Sequence, residues 1–460
     1  MKNTNTIVAQ ATPPGVGAIG VVRLSGLEAF AIADKIFWGK KLEKQESHTL
    51  HFGLIKDGEE VIDEVLVSIF KNPNSFTGED SIEISAHGSP YVLQQIVSLC
   101  IKKGARLATA GEFTQRAFMN GKLDLSQAES VADIIAAESK GQHELAIKQM
   151  RGGYSEQMES LRQELIDFTA LIELELDFSE EDVEFADREK FFALITKTNG
   201  VIENLIQSFQ YGNVLKNGVP VAIVGEPNVG KSTLLNALLN EEKAIVSDIA
   251  GTTRDFIEDE LTIEGIAFRF IDTAGIRVTD DVLESKGIER SFQKLKDASI
   301  VLYLADINKP HKEIAQDVKD IEFASEQDVI VLLNKSDQMD SNCSAYDVEE
   351  AVSVLTNFKT LEISASTKRN LDKLKKLLVS TIEKRKVQTD IQVSNARHLQ
   401  ALQTAQESLQ KVESGLKNNI SGEFISIDAR VALDALGSIT GKITNEDVLS
   451  SVFSRFCIGK

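Results

Sequence analysis

The sequence contains few of the residues that characterise disulfide-rich or membrane-spanning proteins. Only three cysteines and one tryptophan occur in 460 residues. The cysteines, Cys100, Cys343 and Cys457, form no C-x-x-C pair, which excludes a disulfide framework and a cysteine-rich zinc cluster. No apolar run is long enough to span a membrane, and the first residues lead into no signal-peptide-like apolar segment. We therefore expect a cytoplasmic protein.

Basic residues are also scarce relative to acidic ones. Lysine and arginine number 50 against 70 aspartates and glutamates, which gives a net charge of −20. Because phosphate contacts dominate nucleic-acid affinity, such a chain is expected to bind nucleic acid only through a local basic patch or a basic partner. The length predicts about two to four domains.

The first part of the chain, residues 1–120, is expected to form an α+β module. The segments Ile7–Ala9, Ala18–Val22 and Glu64–Phe70 are rich in β-branched and apolar residues and predict strands. The segment Pro90–Val97 predicts a helix. Turns rich in glycine and proline separate these elements.

A helical pattern begins near residue 121. Ser126-Gln127-Ala128-Glu129 has the S-x-x-E form of a capping box and precedes apolar residues at helical spacing. Further helices are expected near 154–177 and 187–211, and from near 390 to the end. We therefore predict a helical bundle domain formed by residues 121–215 and 385–460.

Residues 216–384 alternate between strand-like and helical segments, which predicts a doubly wound, mostly parallel sheet inserted between the two helical halves. The expected strands are Val219–Val224, Phe268–Ile271, Ile300–Ala305, Val329–Leu333 and Leu361–Ile363. The predicted fold class is therefore multidomain α/β, with an α+β N-terminal domain, an α-helical bundle and an inserted P-loop domain.

A phosphate-binding motif follows the first of these strands. The segment Gly225–Ser232 matches G-x-x-x-x-G-K-[ST] and precedes a helical pattern. Backbone N–H groups of such a loop wrap the β-phosphate of a nucleotide, and the helix start adds partial positive charge. Lys231 is expected to bridge the β- and γ-phosphates, and Ser232 to bind Mg²⁺. The alternative is a glycine-rich turn with a surface lysine.

Three further segments fall in the order that a GTPase requires. Asp272-Thr273-Ala274-Gly275 is suited to hold Mg²⁺ through water and to sense the γ-phosphate. Asp337, in Asn334-Lys335-Ser336-Asp337, can accept two N–H donors that guanine has and adenine lacks. Ser364-Ala365-Ser366 can supply a backbone N–H to guanine O6. Together they predict guanine rather than adenine specificity.

The predicted switch segments leave two questions open. The position after Asp272–Gly275, where Ras-like proteins carry a water-orienting glutamine, is Ile276. The acidic residues that follow, including Glu284, either replace that glutamine or are solvated charges. Asn228 either binds a monovalent cation, with carbonyl groups of 247–252, or caps the loop. Thr253 is expected to complete the Mg²⁺ shell.

The chain resembles the MnmE (TrmE) family of tRNA-modifying GTPases, within the TrmE-Era-EngA-YihA-Septin-like superfamily. The resemblance covers essentially the whole length. It depends on motifs outside the nucleotide loops, which other GTPases lack: Thr6–Gly15, Asn74–Asp80 and the terminal Phe456-Cys457-Ile458-Gly459-Lys460. Lys122-Leu123-Asp124-Leu125, Gly225–Ser232 and Gly251–Asp255 also match.

The resemblance implies a K⁺-dependent GTPase that acts on the wobble uridine of tRNA. It implies a homodimer, with an N-terminal domain that binds a reduced folate such as 5-formyltetrahydrofolate. It also implies a heterotetramer or larger complex with an FAD-dependent, MnmG-like partner, through which most tRNA contacts are expected, and no membrane contact. The product is a (carboxymethyl)aminomethyl group at C5 of the uridine, with the one-carbon unit drawn from the folate.

The resemblance also implies roles for individual residues. Potassium is held by Asn228, Ser247, Ile249 and Thr252, magnesium by Ser232 and Thr253, and the attacking water by Glu284. Folate is contacted by Arg23, Glu83, Lys122 and Lys460. The residues expected to line the GTP site are Asn228, Val229, Gly230, Lys231, Ser232, Thr233, Ser247, Asp248, Ile249, Ala250, Gly251, Thr252, Thr253, Asp272, Thr273, Ala274, Gly275, Asn334, Lys335, Asp337, Ser364 and Ala365.

Three points remain open in the sequence. Val16 stands where many relatives carry a basic residue, which concerns local folate or tRNA contacts. Cys457 is expected to be a buried structural thiol, with a reactive thiol near the folate as the alternative; a prenylation signal is disfavoured by Gly459 and Lys460. A ribosome-assembly GTPase without substrate chemistry is the competing function, which the N-terminal module and the C-terminal motif disfavour.

Overall fold

The computed structural model describes residues 5–177, 188–239, 259–271, 295, 298–321, 323–324, 326–339, 358–386, 391–418 and 420–460. The strands are β1 (Ile7–Gln10), β2 (Ile19–Ser25), β3 (Phe37–Trp38), β4 (Thr49–Asp57), β5 (Glu60–Phe70), β6 (Ser81–His87), β7 (Arg106–Leu107), β8 (Val219–Gly225), β9 (Asp259–Ile263), β10 (Ile266–Phe270), β11 (Ile300–Asp306), β12 (Asp328–Asn334) and β13 (Lys359–Glu362).

The described helices are α1 (Ala29–Ala33), α2 (Pro90–Lys102), α3 (Glu112–Met119), α4 (Leu125–Ala136), α5 (Lys140–Met150), α6 (Gly153–Asp177), α7 (Arg188–Asn217), α8 (Lys231–Leu239), α9 (His311–Lys319), α10 (Leu371–Glu383), α11 (Ala396–Lys417), α12 (Gly422–Thr440) and α13 (Glu446–Phe453). Among the described residues, short 3-10 helices lie at Leu42–Lys44 and Ser336–Gln338. No helix in the described parts of the chain combines the length and apolar character needed to cross a membrane.

The chain divides into two compact units. One contains residues 1–136, 146–200 and 400–460, and the other contains 137–145 and 201–399. The N-terminal module and most of the helical segments therefore share a unit. The finer division into domains at 120, 215 and 384 remains a prediction.

The first unit contains a seven-stranded sheet in the order β3-β4-β5-β6-β2-β1-β7, in which only β1 and β7 pair in parallel. Alternate residues of β5, Val65, Val67 and Ile69, are buried and face a core that α1 and α2 complete. This alternation is the pattern of an antiparallel sheet with one covered face. The three strands and the helix predicted for this region are confirmed, with small shifts in their ends.

The capping box at the start of α4 lies two residues earlier than predicted. Asp124 Oδ1 accepts the backbone N–H of Gln127 at 2.8 Å, and Gln127 Oε1 accepts that of Asp124 at 3.0 Å. Ser126 is only 1% exposed and lies within the helix, so the predicted Ser126 cap is wrong. The local sequence satisfies D-x-x-Q as well as S-x-x-E, and the burial of Ser126 decides between them.

Two other helical predictions need adjustment. The third predicted helix continues to Asn217 rather than ending near 211. The C-terminal region is not helical from 390: residues 391–395 are irregular, and the Val393 N–H donates to Ser208 Oγ of α7 at 3.0 Å. This bond takes a backbone donor that a helix would otherwise use.

The second unit contains a six-stranded sheet in the order β13-β12-β11-β8-β10-β9. The strands from β13 to β10 run parallel, and β9 and β10 form an antiparallel hairpin. Alternate residues of β11 face opposite cores: Leu302 packs in the core that includes α8 and α10, and Tyr303 in the core that includes α9. Helices on both faces confirm the doubly wound sheet.

Candidate functional site

The phosphate-loop motif connects β8 to α8 at the carboxyl edge of the parallel sheet. Asn228 adopts a left-handed conformation with φ 61°, and Gly230 has φ 101°. A Cβ at Gly230 would lie 2.5 Å from Asn334 Nδ2, so this position requires glycine for space as well as conformation. The N-terminus of α8 follows immediately and points unpaired N–H groups toward the loop, as in an anion site.

Lys231 and Ser232 occupy the first turn of α8. Lys231 Nζ donates to the carbonyl oxygens of Gly225 and Glu226, each at 2.7 Å, so the ammonium group lies against the phosphate loop. Burial lowers the pKa of Lys231 from its ordinary value. Ser232 and Thr233 are exposed and bring hydroxyl oxygens to the helix start, and oxygen atoms are the ligand type that Mg²⁺ binds.

Asn334, at the end of β12, connects the phosphate loop to the segment Ser364–Ser366, which the sequence predicts to contact guanine. Its side chain is buried, donates from Nδ2 to the Val229 carbonyl at 2.7 Å and accepts the Ala365 N–H on Oδ1 at 2.9 Å. The sequence placed Asn334 among the nucleotide contacts but gave no sign of this bridging role. One amide therefore fixes the spacing of two loops that the sequence predicts to contact opposite ends of a nucleotide.

Asp337 is exposed, and its carboxylate lies between the hydroxyl groups of Ser364 and Ser366. Ser364 Oγ donates to Asp337 Oδ1 at 2.6 Å and Ser366 Oγ to Oδ2 at 3.2 Å. The bond from Ser364 lowers the pKa of Asp337, so the carboxylate is ionised at neutral pH. Lys335, also on this loop, pairs with Asp306 at 2.8 Å. An oriented carboxylate of this kind can accept two parallel N–H donors.

The predicted switch residues lie outside the described residues. These are Ser247, Asp248, Ile249, Ala250, Gly251, Thr252, Thr253, Asp272, Thr273, Ala274, Gly275 and Glu284. Within the described part, no group of three or more histidine, cysteine, aspartate or glutamate side chains is placed to bind a metal. The predicted cation sites depend instead on hydroxyl, amide and carbonyl oxygens.

Two of the four predicted folate residues pair directly across the first sheet. Arg23 on β2 and Glu83 on β6 are opposite each other in register. Arg23 Nε donates to Glu83 Oε1 at 2.9 Å, and Nη2 lies 2.8 Å from the same oxygen as an ion pair. The guanidinium carbon lies 5.8 Å from the ring centroid of Phe76 and 5.6 Å from that of Phe113. The pair forms a charged site with aromatic neighbours.

The C-terminal residues lie beside the same sheet. Ile458 forms an isolated bridge with Ala110, and Gly459, at φ 100°, lies so close to Gln10 that any Cβ would collide with the Gln10 carbonyl. Lys460 is thereby placed one strand from Arg23, because Gln10 on β1 pairs with Val22 on β2.

Lys122 is the last of the four predicted folate residues, and Cys457 was expected to be a buried structural thiol. Lys122 Nζ donates to the Pro73 carbonyl at 3.1 Å, in the segment that carries Phe76. Cys457 is a free, exposed thiol, so the expected burial is wrong. Its neighbour Phe456 takes the buried position instead and packs with Phe453 of α13.

Sequence reasoning missed two charged groups that support these sites. Lys309, after β11, pairs with Glu226 of the phosphate loop at 2.8 Å and with Asp317 at 2.6 Å. In the first unit, Glu112 pairs with Arg106 at 2.6 Å and with Arg116 at 2.9 Å. Lys309 and Glu226 are 83 residues apart in the sequence, so no local pattern could have revealed this pair.

Comparison with known proteins identifies the family. The model of the GTP-binding protein TrmE N-terminus matches residues 6–122, and the model of the MnmE helical domain matches residues 125–457. Full-length relatives named tRNA modification GTPase MnmE are 52% identical in Flavobacterium johnsoniae and 53% identical in Bacteroides thetaiotaomicron, covering 100% of both chains.

Solved structures give weaker matches. Era bound to MgGDPNP and a segment of 16S ribosomal RNA is 31% identical over 41% of this chain and 66% of that chain, with a TM-score of 0.27. The G domain of the T. maritima FeoB transporter is 24% identical over 35% of this chain and 97% of that chain, with a TM-score of 0.26. The family models and the full-length relatives carry the assignment: the chain belongs to the MnmE family of tRNA modification GTPases.

Proposed function

We propose that this protein is a K⁺-dependent GTPase that drives modification of the tRNA wobble uridine with an FAD-dependent, MnmG-like partner. The reaction adds a (carboxymethyl)aminomethyl group at C5 and takes its one-carbon unit from a reduced folate. The main support for GTP binding is the pair of hydrogen bonds made by the Asn334 side chain. They connect the phosphate loop to the loops that hold the oriented Asp337 carboxylate.

Different described residues bind different parts of GTP in this proposal. Backbone N–H groups of the phosphate loop and the α8 N-terminus bind phosphate oxygens, and Lys231 leaves its loop carbonyls to meet the β- and γ-phosphates. Asp337 accepts from the guanine edge, and the Ala365 region contacts guanine O6. Glu284, outside the described residues, is proposed to orient the attacking water.

Cation binding is proposed at the phosphate loop. Ser232 with Thr253 would hold Mg²⁺, and Asn228 with Ser247, Ile249 and Thr252 would hold K⁺; of these only Asn228 and Ser232 are among the described residues. The exposed, left-handed Asn228 fits an oxygen ligand at the rim of the loop. A monovalent ion there supplies positive charge beside the phosphates during cleavage.

The folate half of the proposal is supported by convergence in the first unit. Arg23 and Glu83 pair on one face of the sheet, and the chain terminus brings Lys460 to a neighbouring strand. A carboxylate can bind the aminopyrimidine edge of a pterin, and lysines can bind glutamyl carboxylates. We further propose a homodimer, with tRNA bound mainly through the complex with the partner.

Three measurements test the proposal. GTP hydrolysis by the purified protein should be faster in K⁺ than in Na⁺ buffer, and equal rates would contradict the K⁺ role. Calorimetry with 5-formyltetrahydrofolate should show heat of binding, whereas a ribosome-assembly GTPase should show none. Mass spectrometry of wobble nucleosides from cells that lack this chain should show loss of the modified uridine.

A further inference from the structure

Asp306, at the carboxyl end of β11, belongs to none of the predicted GTPase motifs. β11 lies between β12 and β8 in the sheet, and Asp306 is opposite Asn334 of β12 in the parallel register. β12 leads into the segment Asn334–Asp337, and β8 leads into the phosphate loop. Asp306 therefore lies at the carboxyl edge of the sheet, between the two ends of the predicted nucleotide site.

The side chain of Lys335 crosses this edge. Lys335 follows β12 directly and has a left-handed backbone, with φ 65°. Its Nζ donates to Asp306 Oδ2 at 2.8 Å. Because neighbouring strands are about 4.8 Å apart, the lysine stem spans the step from the end of β12 to the end of β11, towards the strand that carries the phosphate loop. A nucleoside that joins a base at Asp337 to phosphates at that loop has to lie over this stem.

The Asp306 carboxylate is held by a second contact. Oδ1 accepts the Asn308 N–H at 3.0 Å, which leaves Oδ2 for Lys335. Burial opposes the ionisation of Asp306, but the hydrogen bonds from Lys335 and the Asn308 N–H outweigh it and lower the pKa of Asp306. The side chains of Lys335 and Asp306 are 32% and 29% exposed. Since an ion pair this exposed contributes little to folding stability, its main consequence is the fixed direction of the lysine stem.

We propose that Asp306 is a positioning residue for the nucleotide: it holds the Lys335 ammonium so that the stem of this lysine lies along one face of the guanine ring. This inference rests on the proposed GTP function, in which Asp337 binds the edge of the same ring. Methylene groups pack on the flat face of a purine and exclude water from it. A lysine without this anchor regains the rotamer freedom of a long side chain and no longer offers a fixed surface.

Titration of the full-length protein with fluorescent GDP and a fluorescent, non-hydrolysable GTP analogue tests this role. Asp306→Asn keeps the acceptor for the Asn308 N–H but removes the charge that anchors Lys335, and it should weaken binding of the GTP analogue about fivefold. GDP should lose the same factor, because the contact is with the base and not with the phosphates. Asp320→Asn, at an exposed position directly after α9, is the matched control and should bind like the parent.

A double substitution separates the positioning of Lys335 from support of the backbone. Lys335→Met keeps an apolar stem and removes the ammonium group, so it should weaken binding about as much as Asp306→Asn does. The two substitutions together should weaken binding no more than either one alone, because both break the same contact. Additive losses would show that Asp306 supports the turn after β11 rather than the lysine, and would overturn the proposal.

The ratio of GTP to ITP affinity separates the face of the base from its edge. ITP lacks the 2-amino group that Asp337 is proposed to bind, but it presents the same ring face, so Asp306→Asn should leave this ratio unchanged. A fall in the ratio would show that Asp306 acts through Asp337. Tighter nucleotide binding by Asp306→Asn would show that the ion pair holds Lys335 away from the nucleotide. Either result overturns the proposal. If the parent protein binds neither GTP nor GDP, the GTP function itself is wrong, and this inference is wrong with it.

Discussion

At the scale of single residues, Asp337 is the residue that we propose to select guanine at the nucleotide site. Its two carboxylate oxygens are oriented by Ser364 and Ser366 and can take the N–H donors of guanine. We expect Asp337→Asn to shift preference from GTP to XTP by about a hundredfold, because an amide presents a donor where guanine also has one. Competition of GTP and XTP against a fluorescent nucleotide measures this ratio. Retention of tight GTP binding would contradict the assignment.

Asn228 provides the residue-scale test of the monovalent cation. We expect Asn228→Ala to lose the stimulation of GTP hydrolysis by K⁺, a fall of about tenfold or more, because the variant lacks the side-chain oxygen. Hydrolysis in K⁺ and in Na⁺ gives the stimulation directly. The matched control is Asn236→Ala, an exposed asparagine on α8 outside the loop. If Asn228→Ala keeps full stimulation, Asn228 only shapes the loop.

The phosphate loop and Asn334 differ in how far the sequence could predict their roles. The phosphate loop was predictable because its glycines, Lys231 and Ser232 act within eight consecutive residues. Asn334 was predictable as a member of a base-binding motif, but its bonds reach residues 105 and 31 positions away. No short pattern encodes such contacts, since they arise only when parallel strands bring their ends to one edge.

At the scale of elements, the segment after β11 links the phosphate loop to the rest of the sheet. Lys309 pairs with Asp317 and Glu226. The hydrogen bond to Asp317 has the larger effect and the one to Glu226 the next largest; both raise the pKa of Lys309, so the lysine stays charged. We expect Lys309→Met to weaken GTP binding about fivefold, because the freed Glu226 carboxylate then repels phosphate. Fluorescent-nucleotide titration measures the change.

A double substitution distinguishes charge from structure for this pair. Adding Glu226→Gln to Lys309→Met should restore most of the lost affinity, since the repelling carboxylate is gone. Lys312→Met, which removes a neighbouring exposed lysine on α9, should bind GTP like the parent. If the double variant binds no better than Lys309→Met, the lysine acts by holding the loop rather than by neutralising it.

The N-terminal unit offers an element-scale test of stability at Glu112, in the first turn of α3. Burial opposes its ionisation, but hydrogen bonds from Arg106, the Thr109 N–H and Arg116 outweigh this and lower its pKa from 4.5 to about 2. The stabilisation is therefore complete above pH 4.5 and lost as the pH falls toward 2. Glu112→Gln should lower the free energy of unfolding by about 3 kcal/mol at pH 7.

Urea unfolding followed by the fluorescence of Trp38 measures this loss. Trp38 is the only tryptophan and lies on β3 in the same unit as Glu112, so its fluorescence reports on the unfolding of this unit. The difference between parent and variant should shrink as the pH falls from 4.5 to 2. Glu59→Gln, at an exposed turn, is the control and should not differ from the parent. A difference for Glu112→Gln that is independent of pH would show that packing rather than charge is responsible.

At the scale of the whole molecule, the sequence predicted which segments form helices and strands better than it predicted which of them pack together. Runs such as Ile300–Ala305 identify strands because β-branched and apolar residues dominate them, and the doubly wound sheet is confirmed. The packing of α6 along α12 was not predictable in detail, since it joins segments more than 200 residues apart. The same applies to the C-terminus beside Gln10, because only the folded sheet brings these ends together.

The net charge of −20 gives the prediction that concerns the whole molecule. Neutralising RNA phosphates requires clustered lysine and arginine, and the excess of acidic residues repels a polyanion at long range. We expect the protein alone to bind labelled tRNA with a Kd of about 1 µM or weaker at physiological salt, and the FAD-dependent partner to tighten this by at least about tenfold. Fluorescence anisotropy over a series of salt concentrations measures both. Tight, strongly salt-dependent binding by this chain alone would place a basic tRNA surface on it and contradict the proposal that the partner supplies most phosphate contacts.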